Sequence, residues 1–211
     1  MPSQYEIPLK KIRREHEVLK SRFIATLAPV PGIEEARNFI SHIKKEFNDA
    51  SHNVPAYIIG GGNTMTEFCS DDGEPAGTAG RPALAVLRGS GLRDVAVVVT
   101  RYFGGTLLGT GGLVKAYTES TQLVVNAVGR GKRVPVHVVM LSIPYHLLER
   151  MRTLAAHQRG EIVGEDYAAD ITMTLRLPVE AFDLFQNELR ELSAGKIKAE
   201  IIETTQIVVA L

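Results

Sequence analysis

The pattern of apolar and polar positions changes its period several times in the last third of the chain. Strand-like segments alternate or concentrate β-branched residues, whereas helix-like segments place apolar residues three or four positions apart. The predicted strands are residues 136–143, 161–167, 170–177 and 198–209, and the predicted helices are residues 145–157 and 179–192. This βαββαβ order is typical of the ferredoxin-like fold, in which two helices cover one face of an antiparallel sheet.

The preceding part of the chain mixes the same two periods in a different order. A helix is predicted after Gly32, and two strands are predicted to form a hairpin at Gly60–Asn63. A run of valines before Arg101 favours a strand that is buried on both faces. Two more helices are predicted, one with Pro82 in its first turn and one that starts at Leu113. The whole chain is therefore predicted to be an α+β protein.

A break in the pattern falls at Gly129–Pro135, where glycines, cations and a proline follow one another. Such a composition is typical of a short linker. A chain of 211 residues is long enough for two domains, each of about 100 residues. We therefore predict one domain over residues 1–132 and a second over residues 136–211.

Charge, cysteine content and hydropathy indicate the cellular compartment of the protein. The chain is neutral overall, but residues 1–133 carry 17 Lys and Arg against 13 Asp and Glu, whereas residues 134–211 carry 7 against 11. The single cysteine, Cys69, excludes an internal disulfide and suits a reducing compartment. No apolar run is long enough to cross a membrane, and the first residues hold no apolar signal core. These features predict a cytoplasmic protein without a membrane partner.

Two glycine-rich loops run into predicted helices. GTAG, residues 77–80, precedes the helix at Pro82, and GTGG, residues 109–112, precedes the helix at Leu113. A helix start favours an anion because unpaired N–H groups and the positive end of the dipole meet there, and glycine lets the backbone approach closely. Tight packing of the loops accounts for the glycines as well. A nucleotide-hydrolysing site is a weaker alternative, because the sequence lacks a Walker A motif.

Two cations accompany these loops, Arg101 at the end of the valine-rich strand and Lys115 just after GTGG. A lysine near a helix start is unfavourable against the dipole unless an anion compensates, which favours an anion site. The candidate anion- or RNA-binding residues are Gly77, Thr78, Gly80, Arg101, Gly104, Gly105, Gly109, Thr110, Gly111, Gly112 and Lys115.

An acidic loop, defined by Asp71, Asp72 and Glu74, lies just before GTAG. The favoured interpretation is an Asp-Asp-Gly turn whose side chains bond the local backbone. A divalent-cation site, a general base with a raised pKa and a salt link to Arg101 or Lys115 stay open as alternatives. No His or Cys pair has the spacing of a metal site, and we predict neither a bound metal nor a cofactor.

Two further groups of side chains admit both a functional and a structural interpretation. Cys69 and His52 could act as nucleophile and base, although a buried structural cysteine is favoured. The aromatic side chains near the second glycine loop could stack on bases, although packing in the core is favoured. These aromatic residues are Tyr102, Phe103 and Tyr117.

Two long motifs resemble a known family. SDDGEPAGTAGRP, residues 70–82, and VVVTRYFGGTLLGTGGLVKAY, residues 97–117, closely resemble the signature of the IMPACT family in its bacterial YigZ-like branch. KSRFI, residues 20–24, and the spacing of His52 and Ala56 match earlier elements of the same signature. The resemblance covers essentially the whole chain.

The resemblance implies a fold and a setting. It implies an N-terminal domain like domain 2 of ribosomal protein S5 and a C-terminal domain like a ferredoxin-like domain of elongation factor G. Eukaryotic relatives regulate translation by competing for a partner of a kinase that senses uncharged tRNA, and bacteria lack that kinase. No well-defined enzymatic activity accompanies the family. Val54 stands where relatives often have cysteine, which lowers any thiol-enzyme interpretation.

The leading functional expectation is a non-enzymatic binding or regulatory protein linked to translation. Its glycine loops would contact RNA, a ribosome-associated factor or another anionic partner, and that association would be sensitive to salt. The alternative is an enzyme or sensor that holds a small phosphorylated ligand at the same loops. That alternative predicts stabilisation of the protein by its ligand.

Overall fold

The computed structural model describes residues 5–211, apart from the side chain of Asn63. Residues 1–4 of the first predicted domain therefore lie outside the described residues. The chain divides into two compact units. The C-terminal unit is Arg133–Val208, and the N-terminal unit comprises the described residues up to Lys132 together with Val209–Leu211.

The N-terminal unit is a sheet with helices on both faces. Its strands are β1 Ile7–Pro8, β2 Ile12–Val18, β3 Ser21–Pro29, β4 His52–Ile59, β5 Thr66–Cys69 and β6 Val95–Tyr102, and its helices are α1 Ile33–Glu46, α2 Gly80–Ser90 and α3 Gly109–Ala127. Five strands form an antiparallel sheet in the order β2-β3-β6-β4-β5. The predicted hairpin joins β4 to β5, where Ile59 pairs with Thr66.

Strand β6 lies at the centre of this sheet, and its residues from Val95 to Arg101 are all buried. Val97 belongs to the main core cluster together with Leu87 of α2 and Tyr117 of α3. Ala96 belongs instead to a second cluster that includes residues of α1. Because neighbouring residues of a strand point to opposite faces, helices cover both faces, as the run of valines predicts.

Helix α2 begins at Gly80, so Pro82 lies in its first turn as predicted. Helix α3 begins at Gly109, four residues before the predicted start at Leu113. Because glycine is a poor helix former, the sequence pattern placed the start of α3 after GTGG. GTGG is therefore the first turn of α3, and Lys115 lies in the second.

Among the described residues, no helix is both long and apolar enough to cross a membrane.

The C-terminal unit has the predicted βαββαβ order. Its elements are β7 Arg130–Ile143, α4 Leu148–His157, β8 Glu161–Tyr167, β9 Ile171–Pro178, α5 Phe182–Leu192 and β10 Glu200–Ala210. The sheet order is β8-β9-β7-β10. Alternate residues of β9, such as Met173 and Leu175, are fully buried against Met151 of α4 and Phe185 of α5.

The predicted linker at Gly129–Pro135 contains the division between the two units, after Lys132, but it is not an irregular loop, because all but its first residue belong to β7. Strand β1 provides the reason: Ile7 pairs with Gly131, and the N–H of Leu9 donates to the carbonyl of Gly129 at 2.9 Å. A backbone partner from a distant part of the chain therefore outweighs the turn-like composition of this segment.

Two adjacent residues of α5 test the orientation of that helix. Phe185 is fully buried, whereas Leu184 is 53% exposed. Phe185→Ala should lower the free energy of unfolding of the C-terminal unit by about 3–5 kcal/mol, because it empties part of the core. Leu184→Ala should change it by less than about 1 kcal/mol. Chemical denaturation followed by circular dichroism measures both, and equal effects would contradict this orientation.

Candidate functional site

Asp71 of the acidic loop caps the start of α2. Its carboxylate accepts hydrogen bonds from the backbone N–H groups of Gly77 at 2.8 Å, Ala79 at 3.1 Å and Gly80 at 2.8 Å. Burial disfavours the charged carboxylate, but these three donors outweigh burial and lower the pKa of Asp71. Thr78 is also satisfied internally, since its hydroxyl donates to the carbonyl of Pro75. The start of α2 therefore already holds an anion that the protein itself supplies.

Asp72 ties the acidic loop to α1 and β4. Its carboxylate accepts hydrogen bonds from Lys44 Nζ and from the backbone N–H of Asn53, the latter at 2.7 Å. Burial disfavours its charge, but these two donors prevail and lower the pKa of Asp72. The Asp72 carbonyl oxygen also lies 2.8 Å from His52 Nδ1. The backbone of Asp72 is left-handed, with φ of +49°, which suits an aspartate in a tight turn.

Glu74 and Arg101 form a buried ion pair at the end of β6. Arg101 Nη1 lies 2.8 and 3.0 Å from the two carboxylate oxygens of Glu74, and the two side chains are only 6% and 3% exposed. The Tyr117 hydroxyl of α3 donates to Glu74 Oε1 at 2.8 Å. Burial, followed by the charge of Glu74, raises the pKa of Tyr117, so this hydroxyl stays protonated. His52 Nε2 approaches Glu74 Oε2 to 3.8 Å.

The ion pair with Glu74 limits the ability of Arg101 to bind an external anion. The structure contains the salt link between the acidic loop and Arg101 that the sequence left open, whereas Lys115 lies 3.9 Å from Glu119 of its own helix. A buried charge loses much stability when its partner is removed. The guanidinium of Arg101 therefore holds the acidic loop against β6 and offers little charge to solvent.

Close packing explains two of the candidate glycines. A Cβ added at Gly104 would lie 2.0 Å from the backbone carbonyl carbon of Lys20, and the N–H of Gly104 donates to Ser21 Oγ at 3.1 Å. A Cβ added at Gly80 would lie 2.6 Å from the carbonyl oxygen of Ser70. These glycines let the loops approach neighbouring backbone, which is the structural alternative that the sequence left open.

The start of α3 differs from the start of α2. Among the described residues no side chain caps it, although its first turn lacks an acidic residue just as the first turn of α2 does. Gly109, Thr110 and Gly111 are exposed, and a Cβ added at either of the two glycines would have no neighbour within 4 Å. Gly109 has φ of +70°, which glycine adopts without strain. This first turn is therefore bare backbone without an anion from within the protein.

Exposed side chains flank this bare first turn. Phe103 is 48% exposed, and the guanidinium of Arg101 lies 5.6 Å from its ring centroid. Leu107 is 85% exposed on the loop that also contains Gly105. The side chain of Lys115 is 76% exposed. We call Phe103–Gly112 together with Lys115 the α3-start surface.

The favoured core assignment holds for only one of the three aromatic residues near this loop. Tyr117 is fully buried. Phe103 is exposed instead, and Tyr102 is half-buried, with its hydroxyl donating to Asp49 at 2.7 Å. Phe103 is therefore the most exposed aromatic side chain of this group.

The structure does not bring Cys69 and His52 together as a catalytic pair. Cys69 pairs with Ala56 of β4, four residues along the strand from His52. Burial, followed by the charge of Asp71, raises the pKa of Cys69, so the thiol is a weak nucleophile. Within residues 5–211, no three His, Cys, Asp or Glu side chains are placed to hold a metal ion. The acidic loop's carboxylates are instead directed to separate partners.

Several partners in this network carry no sequence signal. Ser21 of β3, Asn53 of β4 and Lys44 of α1 contact loop residues that are far away in the chain. Their spacing matches no motif, and only the folded sheet brings them together. The exposure of Phe103 likewise has no signal in the local sequence pattern.

Fold and site together define a two-domain α+β protein whose N-terminal unit displays an ordered glycine-rich helix start. A family model described as the Impact N-terminal domain matches residues 19–125, and one described as a domain of unknown function, DUF1949, matches residues 141–196. The IMPACT family member YigZ of Escherichia coli (strain K12) is 37% identical over 93% of this chain and 97% of its own length. The chain belongs to the IMPACT family, among its YigZ-like bacterial members.

Two other comparisons agree with this assignment. A solved structure described as the crystal structure of an hypothetical protein is 37% identical, with a TM-score of 0.61 over 96% of this chain and 98% of that chain. The protein IMPACT of Bos taurus is 34% identical over 54% of this chain and 41% of its own length. The family resemblance seen in the two glycine motifs is thus confirmed.

Asp71→Asn should lower the free energy of unfolding by about 1–2 kcal/mol near neutral pH, because it weakens a helix cap. The pKa of Asp71 is lowered by folding, so its contribution is present above the unfolded pKa and disappears as pH falls through the folded pKa. The difference in melting temperature between wild type and variant should therefore be constant near neutral pH and shrink below about pH 4.

Thermal melts across a pH series measure this difference. Asp166→Asn is the matched control, because Asp166 is exposed and should give almost no difference at any pH. A difference for Asp71→Asn that stays constant into acid would show that the charge of Asp71 does not stabilise α2.

Proposed function

We propose that this IMPACT-family protein is a non-enzymatic regulator linked to translation, and that it binds RNA or the ribosome through the α3-start surface. Family membership supports the setting, because the resemblance implies that eukaryotic members regulate translation. The excess of Lys and Arg over Asp and Glu in residues 1–133 supports an anionic partner.

The observation that carries this proposal is the contrast between the two helix starts. Asp71 accepts hydrogen bonds from the N–H groups of Gly80, the first residue of α2, and of Ala79 just before it, whereas among the described residues no side chain caps the start of α3. Backbone N–H groups at a helix start bind phosphate oxygens well, and the dipole favours their negative charge. Open space around Gly109 and Gly111 leaves room for a phosphate to approach.

The exposed aromatic side chain favours a nucleic acid over a simple anion. Phe103 presents a ring in the loop that leads into α3, and its position is fixed by its neighbours, since its N–H donates to Ser51 Oγ at 3.1 Å. An aromatic ring beside a phosphate-binding backbone suits a single strand, where bases stack and phosphates pair with positive charge. Lys115 would add a flexible positive charge one turn along the helix.

A small phosphorylated ligand is the second candidate. The same bare first turn could hold a single phosphate group, and fold analogy with other phosphate-binding loops does not distinguish the two. The candidates differ in the role of Phe103, which would contribute to RNA stacking but not to a lone phosphate. The two candidates also differ in the size of the bound partner, which is a macromolecule in one case and a small molecule in the other.

Gly111 allows a sharp test of the α3-start surface. Gly111→Asp should abolish salt-sensitive co-sedimentation with ribosomes, because it places a carboxylate where a phosphate would bind, while a negative charge in the first turn stabilises the helix itself. Gly111→Ala is the matched control, since it adds the same Cβ into open space without charge. Ribosome pelleting from lysate across a salt series, with thermal melts of each variant, measures both properties.

Three results would be informative. Loss of pelleting in Gly111→Asp and in Phe103→Ala, with retention in Gly111→Ala, supports RNA binding at this surface. No pelleting of wild type at low salt would overturn the RNA proposal. A rise in the melting temperature with inorganic phosphate or nucleotides, lost in Gly111→Asp but kept in Phe103→Ala, would favour the small ligand instead.

A further inference from the structure

Strand β10 is an edge strand with an unusual number of exposed apolar side chains. It pairs with β7 on one side and, in the part of the chain that the structure describes, with no strand on the other. Its four large exposed apolar residues are Ile201 at 45%, Ile202 at 54%, Val208 at 51% and Val209 at 44% exposure. A long apolar edge of this kind readily pairs with another strand.

The other sheet edges carry features that discourage pairing. Strand β2 carries the charged residues Arg13, Arg14, Glu15 and Glu17, and β5 has only four residues. Strand β8 is interrupted by a register shift between Ile162 and Gly164 and carries Glu161, Glu165 and Asp166. Charges, short length and bulges are the usual protections of an edge. Strand β10 has eleven residues and only two charges, Glu200 and Glu203.

We propose that β10 is a homodimerisation strand. Two copies of the chain pair their β10 strands antiparallel, about a two-fold axis that passes through Thr205. The sheets of the two C-terminal units then continue into each other, and the contact is isologous, with the same strand on both sides.

Symmetry restricts where the axis can lie. Facing residues of an antiparallel pair lie on the same face of the sheet, and successive residues alternate between faces. A two-fold axis perpendicular to the sheet leaves each side chain on the same face of the sheet. Two residues that face each other across the axis must therefore differ by an even number in their sequence positions. The axis therefore passes through a residue, and only a few registers remain.

The register centred on Thr205 is the one that matches the exposed residues. It places Ile201 opposite Val209 and Ile202 opposite Val208, so the four exposed apolar residues pair with one another. An axis at Thr204 would place Ile202 opposite Gln206, and an axis at Glu203 would place that carboxylate opposite itself. Like charges that face each other directly are destabilising.

The remaining pairs in this register are also compatible. Thr205 faces its own copy, and Thr204 faces Gln206, so hydroxyl and amide groups can form cross-strand hydrogen bonds. Glu203 faces Ile207, and its carboxylate meets no second carboxylate. The apolar pairs lie on both faces and on both sides of the axis, which argues for a second copy of this strand over an unrelated peptide.

A charge-exchange experiment tests both the partner and the register. Sedimentation of the 211-residue chain over a range of concentrations should show a reversible dimer. Ile202→Lys should weaken it by about tenfold or more, since it loses an apolar pair twice in each dimer. Adding Val208→Glu to Ile202→Lys should restore the dimer, because each introduced lysine then faces an introduced glutamate. Val163→Lys on β8 is the control and should leave the dimer unchanged.

Cysteine cross-linking tests the position of the axis in a Cys69→Ser background. Thr205→Cys should form a disulfide between two copies on mild oxidation, because facing residues in an antiparallel pair lie within disulfide distance. Thr204→Cys should not, since its own copy lies two positions away along the strand. A wild-type protein that stays monomeric at the highest concentration reached would overturn the dimer. Failure of Val208→Glu to rescue, or equal cross-linking at both positions, would overturn this register.

Discussion

The buried ion pair between Glu74 and Arg101 is the interaction on which the glycine-loop end of the N-terminal unit depends. It joins the acidic loop to the central strand β6, and Tyr117 extends it to α3. Two charges removed from water stabilise a fold only when their geometry is good and their remaining hydrogen-bonding groups are satisfied. Here both carboxylate oxygens of Glu74 accept from one guanidinium nitrogen and Tyr117 adds a third hydrogen bond, whereas Arg101 Nε has no hydrogen-bond partner among the described residues. The charged residues of the motif are therefore mainly a means of ordering the loops.

That ordering gives the two glycine loops different roles. Asp71 occupies the start of α2, so the first loop closes an internal cap. The second loop is held by the close approach of Gly104 to β3, and its continuation becomes the uncapped first turn of α3. Two stretches that look alike in sequence thus differ in the one property that matters for binding, which is whether an anion is already present.

Elements with a clear apolar periodicity were predicted correctly from the sequence. Features that depend on hydrogen-bond partners far away in the chain were not. The alternation of apolar residues in β9 and the run of valines in β6 indicate burial directly, so both strands were predicted correctly. The strand at Arg130–Pro135 was missed because its first two residues, Arg130 and Gly131, pair with β1 from the other end of the unit. The partners of Asp72 and Glu74 come from α1, β4, β6 and α3, and no local spacing identifies them. The exposure of Phe103 was missed for the same reason.

The two proposed surfaces consist of different residues, and each can fail without the other. If both hold, their effects combine in a way that neither alone provides. A dimer joined through β10 carries two α3-start surfaces, and a polyanion that engages one of them meets the second at a raised effective concentration. Each additional phosphate contact also steepens the dependence of binding on salt. A single uncapped helix turn is a weak site for one phosphate, and duplication through an edge strand is a simple means of making it selective for a long polyanion.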